Sequence, residues 1–126
     1  MSGAEILVVE DDGATRDLLR MSLELEGYTV SLAANGVEGW ERLRTSPPSL
    51  VVLDIMMPEM DGAELLGLMR RDPGLSRLPV IVVSAFGAMA SIAASLAEVY
   101  IPKPFDLDAL MATIARYCAP PLAAER

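Results

Sequence analysis

Residues 50–54 read Leu-Val-Val-Leu-Asp, four apolar side chains that end abruptly in a carboxylate. An unbroken apolar run of this length is typical of a strand that is covered on both faces, as in a parallel sheet between two layers of helices. Further strand candidates lie at residues 6–9, 28–32 and 80–83, and a short one lies near residues 99–101. The sequence therefore predicts five strands, with the strand that ends at Asp54 in a buried position.

Amphipathic segments separate these runs and predict five helices. The first covers residues 14–25 and stops at Gly27, with an apolar face made of Ala14, Leu18, Met21 and Leu25. The second follows Asn35-Gly36 and turns three side chains inward, namely Val37, Trp40 and Leu43. A capping box opens the third at Asp61, a weakly polar fourth is predicted over residues 88–96, and Asp106 caps the fifth. Strands that alternate with helices predict an α/β fold with a doubly wound parallel sheet.

Composition excludes several functional classes. The 126 residues suggest one domain, and a single cysteine cannot form an internal disulfide. A net charge of −8 disfavours direct nucleic-acid binding, because phosphate backbones attract basic surfaces. The chain has no histidine, which excludes Ser-His-Asp catalysis and histidine-ligated zinc.

The sequence also predicts a cytoplasmic protein without a membrane span. Residues 78–97 carry no charge and are long enough to cross a bilayer. They contain Pro79, Gly87 and three serines, however, and change midway from β-branched to alanine-rich residues. This change indicates a buried strand followed by a helix. The first five residues carry no positive charge, and the apolar run after them is too short for a signal peptide.

Polar side chains follow the predicted strands at the points where a parallel sheet places its ligands. Glu10 and Asp11 follow the first strand, Asp54 the third and Ser84 the fourth, and the fifth leads to Lys103. Two carboxylates about 4 Å apart repel by about 4 kcal/mol at an effective dielectric near 20, so a cluster needs a cation. Oxygen ligands favour Mg²⁺, with Mn²⁺ as an alternative. The set predicts a metal-assisted phosphoryl-transfer site in which a carboxylate is the nucleophile.

Four motifs in order resemble the receiver domains of two-component response regulators. They are Ile6–Asp12 with its acidic end, Val52–Gly62 around Asp54, Val83–Ala85, and Tyr100–Phe105 with its Lys-Pro pair. The resemblance covers residues 4–118. It implies a flavodoxin-like sheet with strand order 2-1-3-4-5, whose switch point between strands 1 and 3 holds the acidic residues.

The resemblance also implies a role for each matching residue. Asp54 would accept the phosphoryl group, Asp11 would bind Mg²⁺ directly and Glu10 through water, and the carbonyl of Met56 would be a further ligand. Lys103 and Ser84 would contact phosphoryl oxygens. The switch residues would be Ser84, Ala85, Tyr100 and Pro104. Ala85 would leave room for the phosphoryl group, and a cis peptide bond before Pro104 would help to aim Lys103. Asp12 is left as a helix cap.

These roles imply a signalling module that catalyses only its own phosphorylation and dephosphorylation. The phosphodonor would be a sensor histidine kinase or a histidine phosphotransfer protein. A downstream protein would bind the face made by the fourth helix, the fifth strand and the fifth helix, and homodimerisation stays open. Residues 1–118 are assigned to the receiver domain and residues 119–126 to a C-terminal tail or the start of a linker. The sequence is expected to be either a stand-alone receiver or part of a longer chain.

Two alternatives remain. The stretch from Ser84 to Lys103 is shorter than the family pattern, and the predicted fourth helix has an uncharged outward face. These departures suggest a degenerate receiver that binds partners without phosphate. A magnesium-dependent phosphohydrolase is disfavoured, because such enzymes carry a second aspartate where this chain has Met56.

Overall fold

A computed structural model of the chain describes residues 4–55, 61–85 and 95–119. The described part contains one five-stranded sheet in which every neighbouring pair is parallel, with the order β2-β1-β3-β4-β5. The strands are β1 (Glu5–Val9), β2 (Thr29–Ala33), β3 (Leu50–Leu53), β4 (Val80–Ser84) and β5 (Val99–Pro102). This confirms the predicted doubly wound sheet and its strand order.

Four helices lie in the described part of the chain. They are α1 (Gly13–Leu25), α2 (Gly36–Thr45), α3 (Gly62–Arg71) and α4 (Leu107–Tyr117). The helix α4 is therefore the fifth helix of the prediction. Residues 86–94, which hold most of the predicted fourth helix, lie outside the described residues, and Ser95 and Leu96 at its expected end lie in a turn.

The helices begin where short polar side chains cap them. The side chains of Asp12, Asn35, Asp61 and Asp106 each accept a hydrogen bond from a backbone N–H in the first turn of the following helix. Such caps satisfy donors that have no partner inside the helix. After α1 the chain reverses at Gly27, whose φ of 95° is open to glycine at little cost. The predicted stop at Gly27 is confirmed.

The core has two layers, one on each face of the sheet. Along β3, Val51 and Leu53 pack into the layer that contains residues of α2 and α3, whereas Leu50 and Val52 pack into the layer that contains residues of α1 and α4. All four side chains are at most 2% exposed. The unbroken apolar pattern of β3 thus reflects burial on both faces, as predicted.

The predicted inward face of α1 is wrong. Leu18, Met21 and Leu25 are 46%, 56% and 75% exposed, and the helix instead buries Leu19 and Leu23. The segment carries two apolar stripes at helical spacing, and both fit the periodicity of a helix. The orientation of the helix on the sheet buries the stripe with Leu19 and Leu23 and leaves the predicted stripe exposed.

The predicted burial of α2 is correct only in part. Leu43 is fully buried and Trp40 packs against the core, but Val37 is 48% exposed. The small residues Gly36 and Gly39 occupy buried positions of the same helix. An added Cβ at Gly39 would lie 3.1 Å from a methyl group of Leu65, so α2 and α3 pack closely here.

Within the described residues, none of the helices combines the length and the apolar character that a membrane span requires. The uncharged stretch at residues 78–97 begins with the buried strand β4, which agrees with the prediction that its first half is a strand.

Candidate functional site

Three carboxylates meet at the carboxyl edge of the sheet. Val9 of β1 pairs with Leu53 of β3, and the N–H of Asp54 donates to the carbonyl of Val9 at 2.9 Å, so Glu10 and Asp54 leave adjacent strand ends. One carboxylate oxygen from each of Glu10, Asp11 and Asp54 lies within 4.8 Å of the others. Glu10 and Asp54 are buried, whereas Asp11 is exposed. The three oxygens are close enough together to hold a metal ion, and the site is open to solvent on the side of Asp11.

Lys103 reaches into this cluster from the end of β5. Ser84 pairs with Pro102 in the sheet, and the N–H of Lys103 donates to the carbonyl of Ser84 at 2.9 Å, which fixes where the side chain starts. The Nζ atom lies 2.9 Å from Oε1 of Glu10 and 3.4 Å from Oδ2 of Asp54. The ammonium group thus bridges the two buried carboxylates, and its shorter contact is with Glu10.

Burial and charge shift two pKa values in this group. Burial raises the pKa of Glu10 to about 7, although hydrogen bonds from Lys103 and from the backbone of Asp12 act in the opposite direction. Burial by itself would lower the pKa of Lys103, but the hydrogen bond with Glu10 and the charges of Asp54 and Glu10 outweigh it, and the pKa is raised. Burial thus disfavours the ionised form of Glu10, whereas the two carboxylates favour the ionised form of Lys103.

Ser84 is the next predicted residue at this edge. Its side chain is fully buried, and its Oγ has no hydrogen-bond partner among the described residues. Buried hydroxyl groups normally have partners, so an orphan of this kind needs an explanation. Its position at the end of β4, next to the strand end that leads to Lys103, is consistent with a group that hydrogen-bonds a ligand.

Tyr100 lies beside the same strand end. Its hydroxyl donates to the carbonyl of Ser84 at 3.2 Å and to that of Ala85 at 3.4 Å, and its ring packs against the core. Ala85 itself is exposed. The aromatic side chain is therefore linked by hydrogen bonds to the backbone that carries Ser84.

The remaining predicted residues have simpler outcomes. Asp12 caps α1, as predicted, by accepting a hydrogen bond from the N–H of Thr15 at 2.9 Å. Hydrogen bonds from Thr15 lower the pKa of Asp12. The Lys103–Pro104 peptide is cis. Met56 lies outside the described residues.

Sequence reasoning missed two residues that shape the site. Arg16 folds back from α1 and donates from one guanidinium nitrogen to the carbonyls of Glu10, at 2.8 Å, and Asp11, at 3.4 Å. Gly62, at the start of α3, lies close to Asp54 and Ile55, here called the acceptor loop after the predicted role of Asp54. An added Cβ at Gly62 would be 2.3 Å from the carbonyl oxygen of Asp54. The sequence shows a glycine after Asp61, but it does not show that Gly62 lies against the backbone of Asp54, eight residues earlier in the chain.

A cavity of about 490 Å³ opens beside Lys103. It lies between the start of α1 and the segment that connects β5 to α4, and it is mostly apolar. Its lining includes Thr15, Leu18, Lys103, Pro104, Phe105 and Leu107. The partly exposed Leu18 therefore belongs to a surface that adjoins the site.

Comparison with solved structures supports the same architecture. The response regulator TrrA of Thermotoga maritima, solved in complex with Mg²⁺-BeF, is 31% identical, with a TM-score of 0.81 over 90% of this chain and 98% of that chain. A CheY-like response regulator receiver domain of Methanospirillum hungatei is 33% identical, with a TM-score of 0.82 over 91% of this chain and 93% of that chain.

Comparison of sequences identifies the family. The response regulator MprA of Mycobacterium ulcerans is 44% identical over 110 residues, which are 85% of this chain and 47% of that protein. The chain thus spans about half the length of the curated relatives it matches. The profile of the response regulator receiver domain matches residues 6–115. This chain belongs to the response regulator receiver domain family, the signalling module of two-component systems.

Proposed function

We propose that the chain is a phospho-accepting receiver in which Asp54 takes a phosphoryl group from a phosphohistidine, with Mg²⁺ as cofactor. One observation carries the proposal: the carboxylates of Glu10, Asp11 and Asp54 converge while Lys103 contacts two of them. A surface carboxylate cluster without such a lysine would be equally consistent with a solvated acidic patch.

The donor set fits the proposed metal. Carboxylate oxygens are the ligands that Mg²⁺ prefers, and Mn²⁺ accepts the same set. We assign Asp11 and Asp54 as direct ligands, Glu10 as a ligand through water, and the carbonyl of Met56 as the last protein ligand. When bound, the ion would neutralise charge on the transferring phosphoryl group.

The side chains of the chain perform the other steps. A carboxylate oxygen of Asp54 attacks phosphorus, the P–N bond of the donor breaks, and its electron pair stays on the imidazole nitrogen. Lys103 supplies a compact positive charge for a phosphoryl oxygen, which suits a lysine better than the planar fork of an arginine. The unpartnered Oγ of Ser84 donates to a second oxygen. Ala85 leaves space for the group.

Phosphorylation then acts on the β5 side of the domain. The added group carries up to two negative charges and three acceptor oxygens. If Ser84 turns towards it, the carbonyls of Ser84 and Ala85 move with the hydroxyl of Tyr100 that donates to them. We assign Ser84, Ala85, Tyr100 and Pro104 as the switch set, and β5 with α4 and the segment before β5 as the face that a downstream protein binds.

The partners follow from this chemistry. The donor is a sensor histidine kinase or a histidine phosphotransfer protein in the cytoplasm, and the cavity beside Lys103 offers an apolar contact surface next to the acceptor. Residues 1–118 are the receiver unit, and residues 119–126 are a tail or the start of a linker. The receiver catalyses its own phosphorylation and dephosphorylation and acts on no other substrate.

The deciding experiment measures intact mass after incubation with acetyl phosphate. Wild type and Asp54→Asn are compared with and without Mg²⁺. A single phosphoryl adduct that requires both Mg²⁺ and Asp54 is expected. Absence of an adduct in a protein that binds Mg²⁺ in a separate titration, or an equal adduct on Asp54→Asn, refutes the proposal. The first of these outcomes, with partner binding unaffected by Asp54→Asn, favours the phosphate-independent module.

A further inference from the structure

Arg16 is placed where helix electrostatics disfavours it. It is the fourth residue of α1, so its charge lies in the first turn, at the positive end of the helix dipole. The turn itself holds no acidic residue, and the nearest acidic residue of the helix start is the N-cap Asp12, whose pKa is lowered by hydrogen bonds from Thr15 and also by the charge of Arg16. The guanidinium folds back along the turn: an added Cβ at Gly13 would lie 3.6 Å from its second terminal nitrogen. Its hydrogen bonds are with backbone that precedes the helix.

Arg16 interacts with the backbone of the acidic loop, which we define as residues 10–12. One guanidinium nitrogen donates to the carbonyl of Glu10 at 2.8 Å and approaches that of Asp11 at 3.4 Å. On the other side, the N–H of Glu10 donates to the carbonyl of Ala33 at 3.0 Å. The two residues that supply carboxylates to the cluster are thus held between the end of β2 and the side chain of Arg16.

We propose that Arg16 is a positioning residue for the divalent cation, which sets the direction of the Glu10 and Asp11 side chains by fixing their carbonyls. The inference rests on the proposed function, because it presupposes that this cluster binds Mg²⁺. Arg16 touches neither the ion nor the phosphoryl group. Residues that orient metal ligands in this way commonly change affinity about 10- to 100-fold when they are replaced.

Charge alone would have the opposite effect. Removing a positive charge near a cation site strengthens cation binding, whereas releasing the loop weakens it. Arg16→Met removes the charge and both hydrogen bonds and keeps much of the aliphatic stem. Arg16→Lys keeps the charge but replaces the planar guanidinium with one ammonium group. The direction of the change in affinity therefore separates positioning from electrostatics.

Arg20 provides a matched control one turn along the same helix. Its guanidinium pairs with Glu24 at 3.2 Å and approaches Asp17 at 3.9 Å, and both partners are exposed residues of α1. Arg20→Met thus removes the same charge from the same helix without contact to the acidic loop. A general effect of net charge or of helix stability would appear in both variants.

The test titrates Mg²⁺ into the full chain by isothermal calorimetry and records amide NMR spectra in EDTA. We expect Arg16→Met to raise the Kd for Mg²⁺ about 10-fold, Arg16→Lys to raise it less, and Arg20→Met to change it less than about twofold. In EDTA, the amide signals of residues 10–12 should shift in Arg16→Met alone. The inference is refuted if Arg16→Met binds Mg²⁺ as tightly as Arg20→Met or more tightly. A wild type that does not bind Mg²⁺ refutes the proposed function and this inference with it.

Discussion

Replacing Gly62 with alanine should damage both the stability and the reactivity of the receiver. The new Cβ would lie 2.3 Å from the carbonyl oxygen of Asp54 and 2.7 Å from Cα of Ile55, whereas ordinary contacts begin at 3.4 Å. The obstructing atoms are backbone, so rotation of a side chain cannot relieve the clash. Either the start of α3 or the acceptor loop must move by about 1 Å, the difference between the clash and an ordinary contact.

The magnitudes follow from this displacement. Overpacking in a tight site typically costs about 1–3 kcal/mol, and the lower flexibility of alanine in the unfolded chain recovers about 0.5–1 kcal/mol. We therefore expect Gly62→Ala to lose about 1 kcal/mol of unfolding free energy. A shift of about 1 Å at a reacting group can lower the rate about 100-fold, and phosphorylation of Asp54 should slow accordingly.

Gly67→Ala is the matched control within α3. Its added Cβ meets only the end of the flexible Arg71 side chain, at 3.9 Å, and alanine in a helix interior is favoured over glycine by about 0.5–1 kcal/mol. Urea unfolding followed by circular dichroism measures stability, and intact mass against time with acetyl phosphate measures the rate. The reasoning is wrong if Gly62→Ala matches Gly67→Ala in stability and is phosphorylated at the wild-type rate.

Three further substitutions test other contacts by urea unfolding. Tyr28→Phe removes a hydrogen bond to the carbonyl of Cys118 and should cost about 1 kcal/mol. Burial raises the pKa of Tyr28 from 10.0 to about 12, so this tyrosine ionises at lower pH in the unfolded chain than in the folded one. The unfolding free energy of the wild type should therefore fall as the pH rises from 10 to 12, and Tyr28→Phe should lack this part of the decrease. Ser84→Ala removes a buried hydroxyl that has no partner in the described part of the chain, and it should raise stability by about 1 kcal/mol; a loss would show that the hydroxyl is satisfied. Arg70→Met removes donors to four acceptors and should cost about 2–3 kcal/mol, whereas exposed Arg71→Met should change stability by less than about 0.5 kcal/mol. Equal effects of the two arginine substitutions would contradict that assignment.

Sequence reasoning succeeded where one strong local rule decides the structure. The unbroken apolar run before Asp54 is typical of a strand covered on both faces, and the carboxyl ends of parallel strands meet at one edge. The capping side chains of Asp12, Asp61 and Asp106 act within three residues of themselves, so their role is local as well. The approach of Glu10 to Asp54 was predicted from the strand order that the family resemblance implied, because that order places strands 1 and 3 side by side.

Sequence reasoning failed where the outcome depends on three-dimensional packing. Both apolar stripes of α1 satisfy helical periodicity, and only contact with the sheet decides that Leu19 and Leu23 are buried while Leu18 and Met21 are exposed. Likewise, the closeness of Gly62 to the acceptor loop joins positions eight residues apart through space. The contact of Arg16 with two carbonyls depends on a side-chain conformation that no residue pattern specifies.

The carboxyl edge of the sheet breaks the rules that stabilise the rest of it. Elsewhere the strands bury apolar side chains, but at this edge Glu10 and Asp54 are at most 4% exposed, and the buried Ser84 hydroxyl has no partner among the residues that the structure describes. Burial raises the pKa of Glu10 because the carboxylate form is poorly solvated there, and the ammonium group of Lys103 contacts both carboxylates. Groups that destabilise a fold in this way persist when a ligand uses them. In the proposed function a divalent cation would satisfy the carboxylates and a phosphoryl oxygen would satisfy Ser84, so the features that weaken this edge are those that the phosphorylated state would stabilise.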